Sequence, residues 1–409
     1  MKISKRRMLS ALAAGCVLAL TDVAIAQNVN GVTDTEILIG SHGPLTGPAA
    51  YIGLGARSGL ELAVEEINSA GGIHGRKLKV LFEDDGFSPA KALGAVKKLV
   101  EDNKVFMIFG ASGSNPTIGT LDYLREEKVP TYVSLASAPA VTHPFSHYLF
   151  RGATVEARLY GERFSEFLVE YNKVKRLAII AGTDELPKNE ADATTREMKK
   201  NYNMEPVIRV EYKVGDTDFT PQLLKIRDAN PDLIMINGNL TEAVIIVRQA
   251  RELGLKQPLF GSGTMVDNAM IAKAGAAAEG FMGPWFVPHF IDSTQPDMVK
   301  FREAWNKLNP NAPVGRPNIF DYMAYGDMHV VAEGLRRAGR DLTRDKFVAA
   351  LETLDNWRIS EVAQPRTFTD WHHVGNLNIQ MMVVKDGKWV PVPWKPSRES
   401  AVLDDFRKK

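Results

Sequence analysis

The sequence holds one cysteine, Cys16, in 409 residues. No disulfide can form within the chain, and past residue 16 thiol chemistry is excluded. An excess of one charge is missing too: 50 Lys and Arg stand against 49 Asp and Glu, a formal net charge of +1. Four of the positives (Lys2, Lys5, Arg6, Arg7) and one negative (Asp22) fall in the first 26 residues, which leaves 46 basic against 48 acidic residues and a net −2 beyond them. Such an interspersed surface presents no basic face to a phosphate backbone or an anionic membrane, so nucleic acid is not expected as a partner. Beyond residue 26 no apolar run approaches the ~20 residues of a membrane-spanning helix. What remains, 44% hydrophobic and 24% charged, is ordinary globular composition with room for two domains, which rules out disorder, collagen and coiled coil.

Residues 1–26 run from a basic start through an apolar stretch, residues 8–20, to Ala24-Ile25-Ala26, the layout of a cleaved secretory signal. Cys16 ends Leu12-Ala13-Ala14-Gly15-Cys16, which resembles a lipoprotein box. Lipidation there would start the mature chain on the apolar Val17-Leu18-Ala19-Leu20 instead of a polar tether. The expectation is therefore cleavage after Ala26 and an exported protein in the periplasm.

From residue 37 the chain alternates short apolar runs with amphipathic helical stripes. Residues 37–39, 78–82, 105–109 and 131–134 read as strands, and between the first two Ala56, Leu60, Ala63, Val64 and Ile67 recur at helical spacing until Gly71-Gly72 stops them. Strands at 177–181, 207–214, 233–237 and 259–260, with helices near 157–171, 189–201, 219–229 and 241–253, repeat the pattern. Apolar strands separated by amphipathic helices call for parallel sheets covered on both faces. Three helices follow, near 298–308, 320–338 and 344–354, then a hairpin over 377–392 that turns at Asp386-Gly387. A tail of this kind returns to complete both lobes.

In open α/β sheets ligands sit beyond the carboxyl ends of the strands, where helix N-termini favour an anionic group. Two such ends here are small and hydroxylic: Ala111-Ser112-Gly113-Ser114-Asn115-Pro116 and Ser134-Leu135-Ala136-Ser137-Ala138-Pro139. Alone, that composition is also what ordinary turns use. Other constellations carry less. Gly53-Leu54-Gly55-Ala56-Arg57-Ser58-Gly59 lacks the spacing of a nucleotide fingerprint and reads as a helix entry. Gly110-Ala111-Ser112-Gly113-Ser114 narrowly misses the hydrolase elbow, and no histidine is placed as its base. His372-His373 has no third metal ligand at a recognisable spacing and reads as an exposed pair at a hinge. Asp84-Asp85-Gly86 ends a strand without the carboxylates of a calcium loop. Neither a metal nor a cofactor is expected, and no catalytic residue.

Asn68-Ser69-Ala70-Gly71-Gly72-Ile73-His74-Gly75-Arg76-Lys77-Leu78 resembles the Asn-x-Ala-Gly-Gly-Ile-x-Gly signature of bacterial periplasmic binding proteins of the Leu/Ile/Val-binding type. Pro44-Leu45-Thr46-Gly47, Asp84-Asp85, Arg248-Gln249-Ala250-Arg251-Glu252-Leu253-Gly254 and Ala278-Glu279-Gly280 follow in the family's order. The likeness spans about residues 34–390. It implies two Rossmann-like α/β lobes with parallel sheets joined by a three-crossover hinge, the type I periplasmic binding protein fold. The crossovers are expected near residues 153–155, 285–287 and 365–371, so that residues 27–154 and 287–366 form one lobe and 155–286 and 367–400 the other. It further implies a monomeric, non-enzymatic receptor that captures a small molecule by hinge closure and delivers it to the permease of an ABC importer in the inner membrane. An exported hydrolase using Ser112 or Ser114, and a sensor domain of the same fold, are the competing classes.

The resemblance also assigns roles: Ser114, Leu135 and Ser137 fall where the family holds a ligand carboxylate, with Asn115, Asn239 and Thr264 completing the polar set. Amino-acid binders of the family place an acidic side chain in the loop after the last strand of the second lobe. Gly263 stands there, Asn239 replaces a tyrosine, and Leu186 lies near another aromatic position. An ammonium without a counter-charge is poorly accommodated, while Tyr51, Phe320 and Trp285 supply flat walls. The expected ligand is an aromatic or other hydrophobic carboxylate without an α-amine, with a branched-chain amino acid as the alternative if Asp267 or Glu185 restores the charge.

Overall fold

The computed structural model describes residues 29–285, 290–313, 316–360, 363–397 and 400–407. The signal segment with Cys16, and the part of the second expected crossover at residues 286–287, lie outside them.

Two sheets organise the chain. The first contains β1 (Glu36–Gly43), β2 (Lys77–Asp84), β3 (Met107–Gly110), β4 (Thr131–Val133) and β5 (Leu149–Arg151), in the order β2-β1-β3-β4-β5. All its pairings are parallel. Helices α1 (Ala50–Ser69), α2 (Pro89–Lys97) and α3 (Ser114–Glu126) connect its first four strands. The second sheet starts after α4 (Ala157–Glu166) and holds β6 (Leu177–Gly182), β7 (Ile208–Tyr212), β8 (Leu233–Asn237), β9 (Leu259–Gly261) and β10 (Met282–Trp285), linked by α5 (Glu185–Tyr202), α6 (Thr220–Asp228), α7 (Leu240–Glu252) and α8 (Asn268–Ala274). The late hairpin, β11 (Gln380–Lys385) and β12 (Lys388–Pro391), adds to β10 antiparallel and gives the order β12-β11-β10-β9-β8-β6-β7. Every residue of β3, β6 and β8 is buried, as helices on both faces of a parallel sheet require.

Between β10 and β11 the chain goes back to the first lobe through α9 (Pro296–Leu308), α10 (Ile319–Ala338) and α11 (Arg344–Leu351). Met328, Val331, Leu335, Phe347 and Leu351 from α10 and α11 join Ile39, Leu60, Phe109 and Tyr132 in one core. A short last helix, α12 (Asp404–Arg407), packs Phe406 into the core of the second lobe. No clear sequence signal marked β5, α8, β10 or α12.

The glycines of α1 correct one reading. The helix begins at Ala50, so Gly53, Gly55 and Gly59 lie inside it and are buried. A Cβ on Gly59 would sit 1.8 Å from the Asp321 carbonyl oxygen, and one on Gly53 2.2 Å from that of Pro44. The missing side chains let α10 and the β1–α1 loop seat directly on the helix backbone, which outweighs the ~1 kcal/mol that a helical glycine costs.

Two crossovers run side by side. Thr154 N donates to Ser134 O at 3.2 Å, Arg151 N to His373 O at 2.9 Å, Gly375 N to Arg151 O at 3.0 Å, and Asn376 Nδ2 to Ala153 O at 2.7 Å. Beneath them Asp327 of α10 is fully buried and accepts from Tyr132 OH (3.1 Å), Ser134 Oγ (2.6 Å), Ala153 N (2.9 Å) and Arg366 Nη2 (3.1 Å). One carboxylate thus ties both crossovers to the first sheet. His372 and His373 are not exposed, as the sequence suggested, but 3% and 0% accessible. His373 stacks on Phe150 with ring centroids 3.7 Å apart and meets Glu352 Oε1 at 3.2 Å. Burial pushes the His372 imidazole down to about 4 and His373 below its usual range.

Candidate functional site

The carboxyl ends of both sheets carry the loops singled out in the sequence, and α3 of the first lobe approaches α5 of the second. Gly113, extended at φ −74° and ψ −174°, caps α3, so Ser114 is its first helical residue and the free N–H groups of the first turn lie next to it. Ser114 is buried, and its Oγ accepts from Ala138 N at 3.2 Å, which joins the two hydroxylic loops. Ser137 is buried as well; its carbonyl accepts from Ala157 N at 2.9 Å, and among the described residues no protein group bonds its hydroxyl. Leu135, half-buried, packs against the cores of both lobes, and Asn115 is exposed. In the same lobe Tyr51, 51% exposed, meets Phe320 edge-on at 5.8 Å between centroids, while Asn318 Nδ2 reaches Tyr51 O at 3.4 Å. Ser114, Ser137, Leu135, Tyr51 and Phe320 therefore all come from the first lobe.

From the second lobe come Asn239 and Thr264. Asn239 precedes α7 without a capping hydrogen bond from its side chain. Thr264 Oγ1 donates to Gly238 O at 2.8 Å and Ser262 Oγ to the same carbonyl at 3.3 Å, so the loops after β8 and β9 hold each other. Trp285, expected as a flat wall, is instead 4% exposed and stacked on Phe290 at 4.5 Å between centroids, in the core of that lobe. Of the two acidic residues that could restore the charge, Asp267 caps α8 through Ala269 N at 2.7 Å, and the exposed Glu185 accepts from Asn189 at 3.2 Å.

Sequence reasoning missed a second tier. The fully buried Arg151 donates from its guanidinium to the carbonyls of Ala136 and Ala138 and, at 3.5 Å, to Thr142 Oγ1. It holds those two carbonyls beside the Leu135–Ser137 loop; the fully buried Glu156 carboxylate is a counter-charge to it, and burial pulls the guanidinium down to about 10. In the second lobe buried Glu190 accepts from Asn237 Nδ2 at 3.2 Å beneath the strand ends, and burial pushes its carboxyl up to about 7. Glu242 and Asp184 lie beyond them at the starts of α7 and α5. The serine elbow forms no catalytic arrangement: Ser112 Oγ is buried without a hydrogen-bond partner, and Ser114 Oγ bonds a backbone amide. Among the described residues no group of three or more His, Cys, Asp or Glu is placed to hold a metal ion, and no helix is long and apolar enough to cross a membrane.

The chain matches the periplasmic binding protein family over residues 36–388. It is 29% identical over 306 residues to a leucine-, isoleucine-, valine-, threonine- and alanine-binding protein of Pseudomonas aeruginosa, covering 74% of this chain and 79% of that one. A Leu/Ile/Val-binding protein homolog of Brucella melitensis is 26% identical over 377 residues, covering 91% and 98%. Among solved structures, the substrate binding protein of a branched-chain amino acid transporter from Streptococcus pneumoniae, in complex with isoleucine, superposes with a TM-score of 0.72 at 25% identity, covering 88% of this chain and 100% of that one.

Proposed function

Because the chain belongs to the periplasmic binding protein family, we propose that it is the receptor of an ABC importer that closes two lobes on a small carboxylate without an α-amine, aromatic or otherwise hydrophobic. The observation that carries this reading is the meeting of the α3 N-terminus with the Ser137 loop, joined by the Ser114–Ala138 hydrogen bond and backed by the Arg151 guanidinium. Backbone N–H groups of a helix start and serine hydroxyls come together where an anion gains most, with Arg151 bracing the loop from behind through the Ala136 and Ala138 carbonyls. The absence of an acidic side chain at Gly263 and the Tyr51–Phe320 pair support an apolar body over an α-amino acid.

The chemistry needs no reacting group. The ligand carboxylate docks on the first lobe, the second lobe rotates over it about the crossovers, and the closed form is presented to the permease. On this reading the protein works as a periplasmic monomer, with residues 27–154 and 287–366 in one lobe and 155–286 and 367–400 in the other. A branched-chain amino acid is the second reading, favoured by what the relatives from Pseudomonas and Streptococcus are described as binding. A thermal-shift panel of benzoate, 4-hydroxybenzoate, octanoate and leucine separates the two. Stabilisation by an acid lacking the α-amine is expected, and stabilisation by leucine alone would overturn the proposal.

A further inference from the structure

We propose that Asp184 and Glu242 form a second subsite in this cleft, for a cationic nitrogen that the ligand carries at a distance from its carboxylate; this rests on the carboxylate reading above. Glu242 is 4% exposed. Its Oε1 accepts from Gly215 N at 3.0 Å, while Oε2 is buried with no hydrogen-bond partner. A carboxylate oxygen taken from water and left unmatched is unfavourable, and buried charges are normally paired. Asp184, which precedes α5, is exposed, and neither carboxylate forms a salt bridge among the described residues. The two act on each other: loss of water and then Glu242 raise the Asp184 carboxyl above its usual range. Glu242 also raises Tyr212 of the same lobe and Tyr51 of the opposite lobe, in each case after loss of water.

Position along the sheet separates this pair from the family's acidic position. Gly263 follows β9, whereas Asp184 follows β6, two strands away in the order β9-β8-β6-β7, and neighbouring strands are about 4.8 Å apart. The Glu242 side chain is directed toward the loop after β7 by its bond to Gly215, farther still from β9. An anionic subsite about 10 Å along the sheet suits an ammonium at the far end of the ligand and not one on the α-carbon. Two unpaired carboxylates also favour a cation over a neutral hydroxyl, since charge-assisted hydrogen bonds are about twice as strong.

Titration calorimetry on the full protein tests this with matched probes: 4-aminobutyrate against butyrate, 6-aminohexanoate against hexanoate, and 4-(aminomethyl)benzoate against 4-methylbenzoate and 4-(hydroxymethyl)benzoate. At least one amino compound should bind tenfold or more tightly than its unaminated partner. Glu242→Gln and Asp184→Asn should each cut that ratio at least threefold. Equal affinities throughout, or a ratio unchanged in both variants, would overturn this inference alone. Binding of leucine with none of the other acids would overturn the carboxylate reading and this one together.

Discussion

Replacing Asp327 by Asn removes one charge and almost no volume from the junction of the two crossovers. The carboxylate now takes four donors: Tyr132 OH, Ser134 Oγ, Ala153 N and the Arg366 guanidinium. An amide has one acceptor oxygen, so its NH2 must face the Ala153 N–H and Ser134 side or the guanidinium. Either choice sets donor against donor. Arg366, 5% exposed, is left without its counter-ion, and breaking a buried pair from one side costs about 3–5 kcal/mol. At roughly 2–4 °C per kcal/mol for a unit of 150–250 residues, the midpoint should fall by about 6–20 °C. Circular dichroism melts of wild type, Asp327→Asn, Arg366→Met and the double variant form a cycle. The double variant should melt well above the sum of the two losses, because the second change removes the orphaned charge that the first created. Additive losses, or a fall below 2 °C in Asp327→Asn, would refute the claim that this pair anchors the crossovers.

Ser137→Ala should weaken ligand binding about 10- to 150-fold, the loss of a 1.5–3 kcal/mol bond to a charged group, with melting unchanged, because its hydroxyl holds no protein partner. Ser114→Ala should weaken binding similarly but also lower the melting temperature, since Ala138 N loses its acceptor at a cost of about 1–3 kcal/mol; calorimetry and melts showing wild-type behaviour in both would sink the assignment. Glu190, pushed up to about 7 by burial, gives a pH signature. A carboxyl raised in the folded state contributes stability below its unfolded value near 4.5 and loses it as pH climbs through about 7. Melts of Glu190→Gln against wild type should therefore show the variant gaining, by about 1–3 kcal/mol, between pH 5 and pH 8; a constant difference would contradict the raised carboxyl.

Where periodicity and punctuation agree, the sequence was enough. The stripe of α1 and its Gly71-Gly72 stop, the strands β6 and β8, and the Asp386-Gly387 hairpin stand where the pattern put them. The strand β5 is only three residues long, and β10, with a glycine and a proline in four, lacks β-branched residues altogether, so neither carries a period to read. His372-His373 misled because charge and position in a loop suggest exposure, whereas the crossovers close over both rings. In the site, the hydroxylic loops after β3 and β4 were legible because small residues at strand ends are a local property. Arg151 was not, because its partners Ala136 and Ala138 come together with it only when β4 and β5 pair. Glu242 was not singled out from the sequence at all. Asn239 and Glu242 have the spacing of a reciprocal helix cap, as Asn318 and Asp321 truly form at α10, yet the Glu242 carboxylate turns to Gly215 and leaves an oxygen facing no partner. Local spacing could not distinguish these two cases, because the choice is made by the loop after β7.

Small-angle X-ray scattering, recorded with increasing amounts of whichever acid stabilises the protein in the thermal-shift panel, tests the central claim that two lobes close on a small carboxylate. The account predicts a radius of gyration that falls and saturates with one equivalent of bound ligand while the molecular mass stays that of a monomer. A radius unchanged at full occupancy would contradict it.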